Sequence, residues 1–377
     1  MKVLLYSHCF HPSVGGLESV SLALAKGFYQ NQIEVKVITS TSSDEINHFP
    51  FEVIRKPRTK NQIALIGWAD VILFNGASLA LQPWILIFRK PFVWIHTGYQ
   101  VSCIDGLGWV NGKPAPLKPY ASFLYHKRLK GLASGVKEGM KLLVRRFFAK
   151  HFVTKNVAIT NWMDEIQPLP RQIKIYNPFC LDQFSTCGLV ECEYDFLYVG
   201  RIVSEKGIST LLKAFAKVYF FSKNTSNLLI IGDGDYREKM EELSKDLNIN
   251  QAVEFVGSKI GEELVKYISK SRIAVVPSEW YEPMGGVALE FMASGKNLIV
   301  SEYGGLKECV GDAALSFPNG DSQTLAECMV RLLRDKSLQK EQLSKGKERI
   351  KSFEPSIFVH QYINLLREVS KLNCYQN

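Results

Sequence analysis

Residues 273–292 read IAVVPSEWYEPMGGVALEFM. Ile273–Val276 are four apolar residues in a row and fit a buried strand. The loop Pro277–Tyr281 follows, and Gly285-Gly286 opens a helical stretch running through Met292. A strand, a short loop, glycines and a helix make one βα unit. The N–H groups and dipole at the start of such a helix favour an anion, and the glycines let backbone approach it with no Cβ in the way. Glu282 sits in the loop, where it can accept hydrogen bonds from sugar hydroxyls. Glu290 lies about two turns further on, within reach of a second hydroxyl pair such as a ribose. Two isolated glutamates would be read as solvated surface carboxylates; here the glycines and the helix start stand between them.

The same unit recurs upstream. Phe196–Val199 reads as a strand, Gly200-Arg201-Ile202-Val203-Ser204-Glu205-Lys206-Gly207 as a turn, and the residues to Tyr219 as a helix. Arg201 and Lys206 flank a turn closed by Gly207. Two cations beside a helix start can clamp a diphosphate, arginine by its planar fork and lysine as a point charge. At the N-terminus, Val3–Tyr6 is followed by His11-Pro12-Ser13-Val14-Gly15-Gly16-Leu17-Glu18 and a helix over Leu17–Gln30. Gly15 and Gly16 admit phosphate or sugar close to the backbone, in a pattern that is neither the dinucleotide fingerprint nor the P-loop. Further strands are expected at Glu34–Thr39, Val71–Phe74, Phe92–Ile95, Asn156–Thr160, Leu228–Ile231, Val253–Phe255 and Leu298–Val300. Alternation of this kind gives an α/β protein with doubly wound parallel sheets. The turn-rich stretch Pro178–Glu193 divides the chain into Rossmann-like domains over 1–180 and 181–354, with a helix over 355–377 returning to the first. Ligands of open parallel sheets bind outside the strand C-termini, which are expected to face a shared cleft.

The chain has 377 residues, enough for two domains, and 46% hydrophobic against 22% charged residues excludes disorder. The apolar stretch Ala80–Ile95 is broken by Pro83, Arg89 and Lys90, too short for a membrane span. No signal-peptide pattern opens the sequence, so a cytoplasmic protein is expected. The eight cysteines form no C-x-x-C pair and no zinc spacing, so free thiols are expected. The net charge of +9 is uneven: the first 180 residues hold 22 Lys/Arg against 10 Asp/Glu. The first half is therefore expected to meet something anionic.

These motifs resemble glycosyltransferase family 4, retaining enzymes of the GT-B fold, also called glycosyl transferases group 1. The resemblance spans "HPSVGGLESVSLALAKGF", "YVGRIVSEKGISTLLKAF", "IIGDGDYRE", "VEFVGSKI", "EWYEPMGGVALEFMASGKNLIVSEYGGLKE" and "SFEPSIFVHQYINLL". It implies a hexosyltransferase that takes a UDP-, GDP- or ADP-sugar and glycosylates a glycan or lipid-linked acceptor. The products would be cell-surface polysaccharide, lipopolysaccharide or glycolipid. By the resemblance, Arg201 and Lys206 hold the donor diphosphate. Glu282 and the Met284–Gly286 backbone hold the sugar, and Glu290 the ribose. Gly232, Ser258 and Lys259 border the base, and Gly15 and Gly16 line the donor site. His96, in "WIHTGY", matches the family's active-site histidine. The family often carries a bulky apolar residue at or beside Gly286, which leaves sugar preference open. The stretch after His96 matches no family motif and is a candidate acceptor loop carrying Asp105 and Trp109. The chain is read as having no Asp-x-Asp motif to hold a metal on the donor diphosphate, so no cofactor and no metal are expected, and Arg201, Lys206 and helix N-termini would replace the metal's charge.

Residues 113–155 carry eleven Lys/Arg and a single acid, Glu138. Within them Val136, Met140, Leu143, Val144, Phe147 and Phe148 share one helical face, with Lys137, Lys141 and Arg145 in a second row. Such a helix can lie on an anionic membrane surface; the plainer reading packs its apolar face on the sheet. Nucleic acid is not an expected partner, since no recognition motif occurs. An epimerase of the same fold and a non-catalytic peripheral-membrane protein are the competing readings.

Overall fold

The structure is a computed structural model that describes residues 1–13, 15–43, 49–77, 79, 81–185 and 191–374, with side chains to 371. Val14, Cys187 and residues 186–190 of the boundary stretch lie outside the described residues. The chain divides into two compact units. One comprises Met1–Gly108, Ala115–Cys180 and Glu354–Asn377, the other Trp109–Pro114 and Leu181–Phe353.

In the first unit the strands are β1 (Lys2–Ser7), β2 (Glu34–Thr39), β3 (Glu52–Arg55), β4 (Val71–Asn75) and β5 (Phe92–His96). The short hairpin strands β6 (Trp109–Val110) and β7 (Lys113–Pro114) cluster with the second unit, and β8 (Lys155–Ala158) and β9 (Gln172–Lys174) complete the first. The sheet order is β3-β2-β1-β4-β5-β8-β9, every pair parallel. The order reverses between β1 and β4. Strands β4 and β5 are buried throughout because helices cover both faces of a parallel sheet. At the switch point, Asn75 Nδ2 donates to Ser21 Oγ (2.8 Å) and Ser21 Oγ to Ser7 Oγ (2.7 Å). These bonds pin helix Gly16–Gln30 to both strands. The helix Pro355–Cys374 belongs to this unit, and Gly27 lets it approach: a Cβ there would stand 2.6 Å from Val359.

The second unit repeats the plan with β10 (Tyr194–Val199), β11 (Leu228–Ile231), β12 (Val253–Phe255), β13 (Ser271–Val276), β14 (Asn297–Ser301) and β15 (Leu315–Phe317). Its order is β12-β11-β10-β13-β14-β15, again all parallel, with the reversal between β10 and β13. Phe196 packs edge-on against Phe215, ring centroids 6.1 Å apart, at the centre of its core. The described cysteines are free thiols. Among the described residues no helix is long and apolar enough to cross a membrane.

The basic stretch forms helix Pro119–Lys130 and helix Leu132–His151. Of the apolar face of the second helix, Phe148 packs against the core of this unit, while most of the rest stays outside it. The helix turns its small residues inward instead: a Cβ on Gly135 would meet Lys127 Cα at 2.9 Å, and one on Gly139 would meet Phe123 at 2.9 Å. Met140, Leu143 and Phe147 are left 57%, 58% and 52% exposed.

Candidate active site

Ligands of doubly wound sheets bind where the strand order reverses. In the second unit that point lies between the loops after β10 and β13. The two loops are joined by backbone: the Glu205 carbonyl accepts from Glu279 N (3.0 Å) and Trp280 N (3.3 Å). Thr210 Oγ1 adds a bond to Glu279 Oε1 (2.6 Å). Gly207 makes the approach possible. Its φ is +68°, and a Cβ there would stand 2.9 Å from the Pro277 carbonyl carbon and still closer to its oxygen.

The joined loops bring Lys206 to Glu282, Nζ to Oε1 at 2.8 Å, with the side chains only 19% and 8% exposed. Ser278 Oγ donates to the same carboxylate oxygen. Gly305 N donates to the Glu282 carbonyl (2.6 Å) and holds the backbone of this residue. The Lys206 ammonium also stands 5.4 Å from the Trp280 ring centroid, and the buried Trp280 Nε1 has no hydrogen-bond partner among the described residues. Arg201 behaves differently. It is exposed and stands 3.6 Å from the buried Glu205, a long contact that leaves its guanidinium open to an arriving anion. The site thus holds one buried, partnered cation and one free to move.

Helix Gly286–Ala293 starts at this loop. The space a Cβ on Gly285 would fill belongs to Leu306, 2.5 Å away, so packing alone already demands glycine there. Met284 is buried. Glu290 is half-buried, and burial pushes its carboxyl up to about 7. Between pH 4.5 and 7 the folded chain therefore keeps a proton that the unfolded chain has released. The stability this contributes is fully present below pH 4.5 and is lost as pH rises toward 7. Glu290→Gln is expected to flatten that slope in urea unfolding at pH 5 and pH 7.5; an unchanged slope would contradict the assignment.

Gly232, at φ +144°, closes the loop after β11 against the Gly200 carbonyl; a Cβ there would stand 2.9 Å from the carbonyl carbon. Lys259 pairs with Glu263 at 2.6 Å, and Ser258 beside it is exposed. The expectation that the chain has no Asp-x-Asp motif is incorrect, since Asp233-Gly234-Asp235 lies in the same loop. Asp233 is engaged locally, accepting from Gly234 N (2.8 Å) and pairing with Arg237 (3.3 Å). No group of three potential metal ligands occurs among the described residues.

In the first unit Gly15 is extended and immediately precedes helix Gly16–Gln30; a Cβ on Gly16 would meet open space. His96 ends β5, buried, with Nε2 2.8 Å from Asn156 Oδ1. Asn156 Nδ2 donates to the carbonyls of Ala149 (2.9 Å) and Pro170 (2.8 Å), which fixes Oδ1 as the acceptor. Nε2 therefore carries the proton and Nδ1 is left as an acceptor. Burial lowers the His96 pKa to about 4, so the ring is neutral at neutral pH. Asp105 turns inward, accepting from Leu107 N (2.9 Å) and Gly108 N, and shapes its own loop. Trp109 belongs to the hairpin of the second unit and donates to Ser204 Oγ (2.8 Å), within the Arg201–Lys206 turn. Ser278, Glu279 and Trp280 were missed in the sequence. Their only signal was position, in the loop between β13 and the Gly-Gly pair.

The family model for glycosyl transferases group 1 matches residues 184–349. An uncharacterized glycosyltransferase of Methanocaldococcus jannaschii is 38% identical over 338 residues, covering 82% of this chain and 83% of the relative. Among solved structures, sucrose-phosphate synthase from Thermosynechococcus elongatus superposes with a TM-score of 0.75 at 20% identity, covering 98% of each chain. Anabaena HepE in complex with UDP and glucose superposes at 0.73 and 18% identity, covering 97% of this chain and 98% of HepE. Both show the fold, two Rossmann-like units of the GT-B type. By the 38% identity to the M. jannaschii glycosyltransferase over 82% of this chain, together with the family match over 184–349, the chain belongs to the group 1 glycosyltransferases.

Proposed function

We propose that the chain transfers a hexose, with retention of anomeric configuration and without a divalent metal, from a nucleotide-diphosphate sugar to a glycan or lipid-linked acceptor of a cell-surface polysaccharide, lipopolysaccharide or glycolipid. The buried Lys206–Glu282 pair at the switch point carries this reading. Lys206 and Arg201 neutralise the charge that grows on the leaving diphosphate, and Glu282 accepts from sugar hydroxyls. In the second unit Gly232, Ser258 and Lys259 border the base and Glu290 takes the ribose; in the first, Gly15, Gly16 and His96 are the proposed catalytic and binding residues. HepE holds UDP and glucose, which favours UDP among the three nucleotides. A thermal-shift screen of UDP, GDP and ADP in EDTA is expected to show stabilisation by one of them, since a ligand specific to the folded state raises its melting temperature. Stabilisation that requires Mg²⁺ or Mn²⁺ would overturn the metal-free reading.

The exposed face of helix Leu132–His151 supports peripheral attachment to the cytoplasmic leaflet, each cation contributing about 1 kcal/mol near an anionic surface. Arg146 is not part of that face, since it donates to the Val101 carbonyl (3.1 Å) and is partly buried. Changing Lys137, Lys141 and Arg145 to Ser is expected to weaken co-sedimentation with phosphatidylglycerol vesicles. Equal sedimentation of variant and wild type would sink the idea.

A further inference from the structure

The loop after β4 and helix Leu132–His151 line an open groove of about 690 Å³. Ala77 and Leu79 form its loop side. Val136, Met140 and Val144 form the helix side, each four residues after the last and hence on successive turns of one face. A second stripe of the same period, Lys137, Lys141 and Arg145, lines the same pocket. The glycine contacts with helix Pro119–Lys130 fix the rotation that turns both stripes outward. Contiguous exposed apolar surface rimmed by polar groups marks a binding site more often than chance. The placement agrees. Strand β4 borders β1 at the switch point of the first sheet, the position at which such sheets bind ligands. His96 ends the adjoining strand β5, whose Ile95 stands opposite Asn75 of β4.

We infer that this pocket binds the hydrocarbon chain of a phosphate-bearing lipid acceptor, with the cationic stripe on its phosphate. The inference rests on the transferase reading and narrows its acceptor to a lipid. The apolar stripe disfavours a free glycan as the occupant of this pocket, and the cations along its rim, Lys137 and Arg145 with Lys141 shared with Glu138 (2.9 Å), match an anionic head. A volume within the usual range for ligand pockets accommodates one chain, not a bilayer.

The test is calorimetric titration of the full chain with decyl phosphate below its critical micelle concentration, beside decyl maltoside and inorganic phosphate. Decyl phosphate is expected to saturate one site per chain, with the other two at least ~10-fold weaker, since each lacks either the head charge or the buried methylenes. M140D/V144D, at exposed positions, is expected to weaken decyl phosphate at least ~10-fold by placing like charge and polar groups in the pocket. UDP affinity and cooperative unfolding of the variant check its fold. Inorganic phosphate binding as tightly as decyl phosphate, or a variant that binds like wild type, overturns the inference. So does binding confined to phosphatidylglycerol vesicles, which would leave only a membrane surface. If decyl phosphate binds as stated and no nucleotide does, the transferase reading fails and the pocket stands.

Discussion

Glu282→Gln is expected to lower turnover of the donor sugar by about 10²–10³-fold, the effect of removing one preorganised polar group from a site of charge development. Glutamine keeps the volume, so the loop between β13 and helix Gly286–Ala293 can hold its shape through the Gly305 bond to the residue's carbonyl. What is lost is the charge. Lys206 is left mostly buried without its carboxylate partner, and Ser278 loses a charged acceptor. A sugar hydroxyl that donates to Glu282 then meets a weaker acceptor, in the transition state above all. Glu282→Ala would confound the reading, because it also removes the side-chain oxygen that in the Gln variant still accepts from Lys206, and a buried cation left with no acceptor destabilises a fold by roughly 3–5 kcal/mol. Initial rates with wild-type and Gln variants, each checked for the same unfolding midpoint, measure the effect. A Gln variant turning over within about twofold of wild type, an energetic difference too small to matter, would contradict the assigned role.

Gly207→Ala is expected to cost about 3 kcal/mol in the second unit, from two sources of strain. An L-residue at φ +68° costs about 1–2 kcal/mol by itself. The added Cβ also runs into the Pro277 carbonyl, which is backbone and can yield only if the loops after β10 and β13 part. Parting them would break the Glu205 bonds to Glu279 and Trp280 and separate Lys206 from Glu282, so nucleotide affinity should fall with stability. Gly261→Ala is the control. Its φ is +56° and nothing lies within 4 Å of the added Cβ, so only the conformational cost of about 1 kcal/mol remains. Urea unfolding of the two variants separates strain from clash. Equal losses would mean that the contact with Pro277 does not matter.

The parallel-sheet plan was legible because several of its strands are continuous apolar runs: Leu228–Ile231 lies where the sequence placed it, and Val71–Phe74 is extended only by Asn75. Strands β3, β9 and β15 escaped, being short edge strands with few buried positions. Their sequence lacks the hydrophobic run that marks a strand buried on both faces. In the site, glycines and charges flagged the loops, but which groups meet depends on backbone contacts far apart in sequence. The spacing of Arg201 and Lys206 suggested a matched pair of cations. The fold buries one against Glu282 and leaves the other in solvent. The apolar face of helix Leu132–His151 was visible in its period, but its outward orientation follows from Gly135 and Gly139, which carry no hydrophobic signal.

The most direct test of the account is calorimetric titration of UDP in EDTA into wild-type protein and Lys206→Met. Methionine keeps the buried stem and removes the ammonium. Wild type is expected to bind one UDP per chain without metal, and the variant about 10–100-fold more weakly, the weight of one charge-assisted contact to a phosphate. Equal affinity in the two proteins, or wild-type binding only after Mg²⁺ or Mn²⁺ is restored, would contradict a diphosphate site built on Lys206.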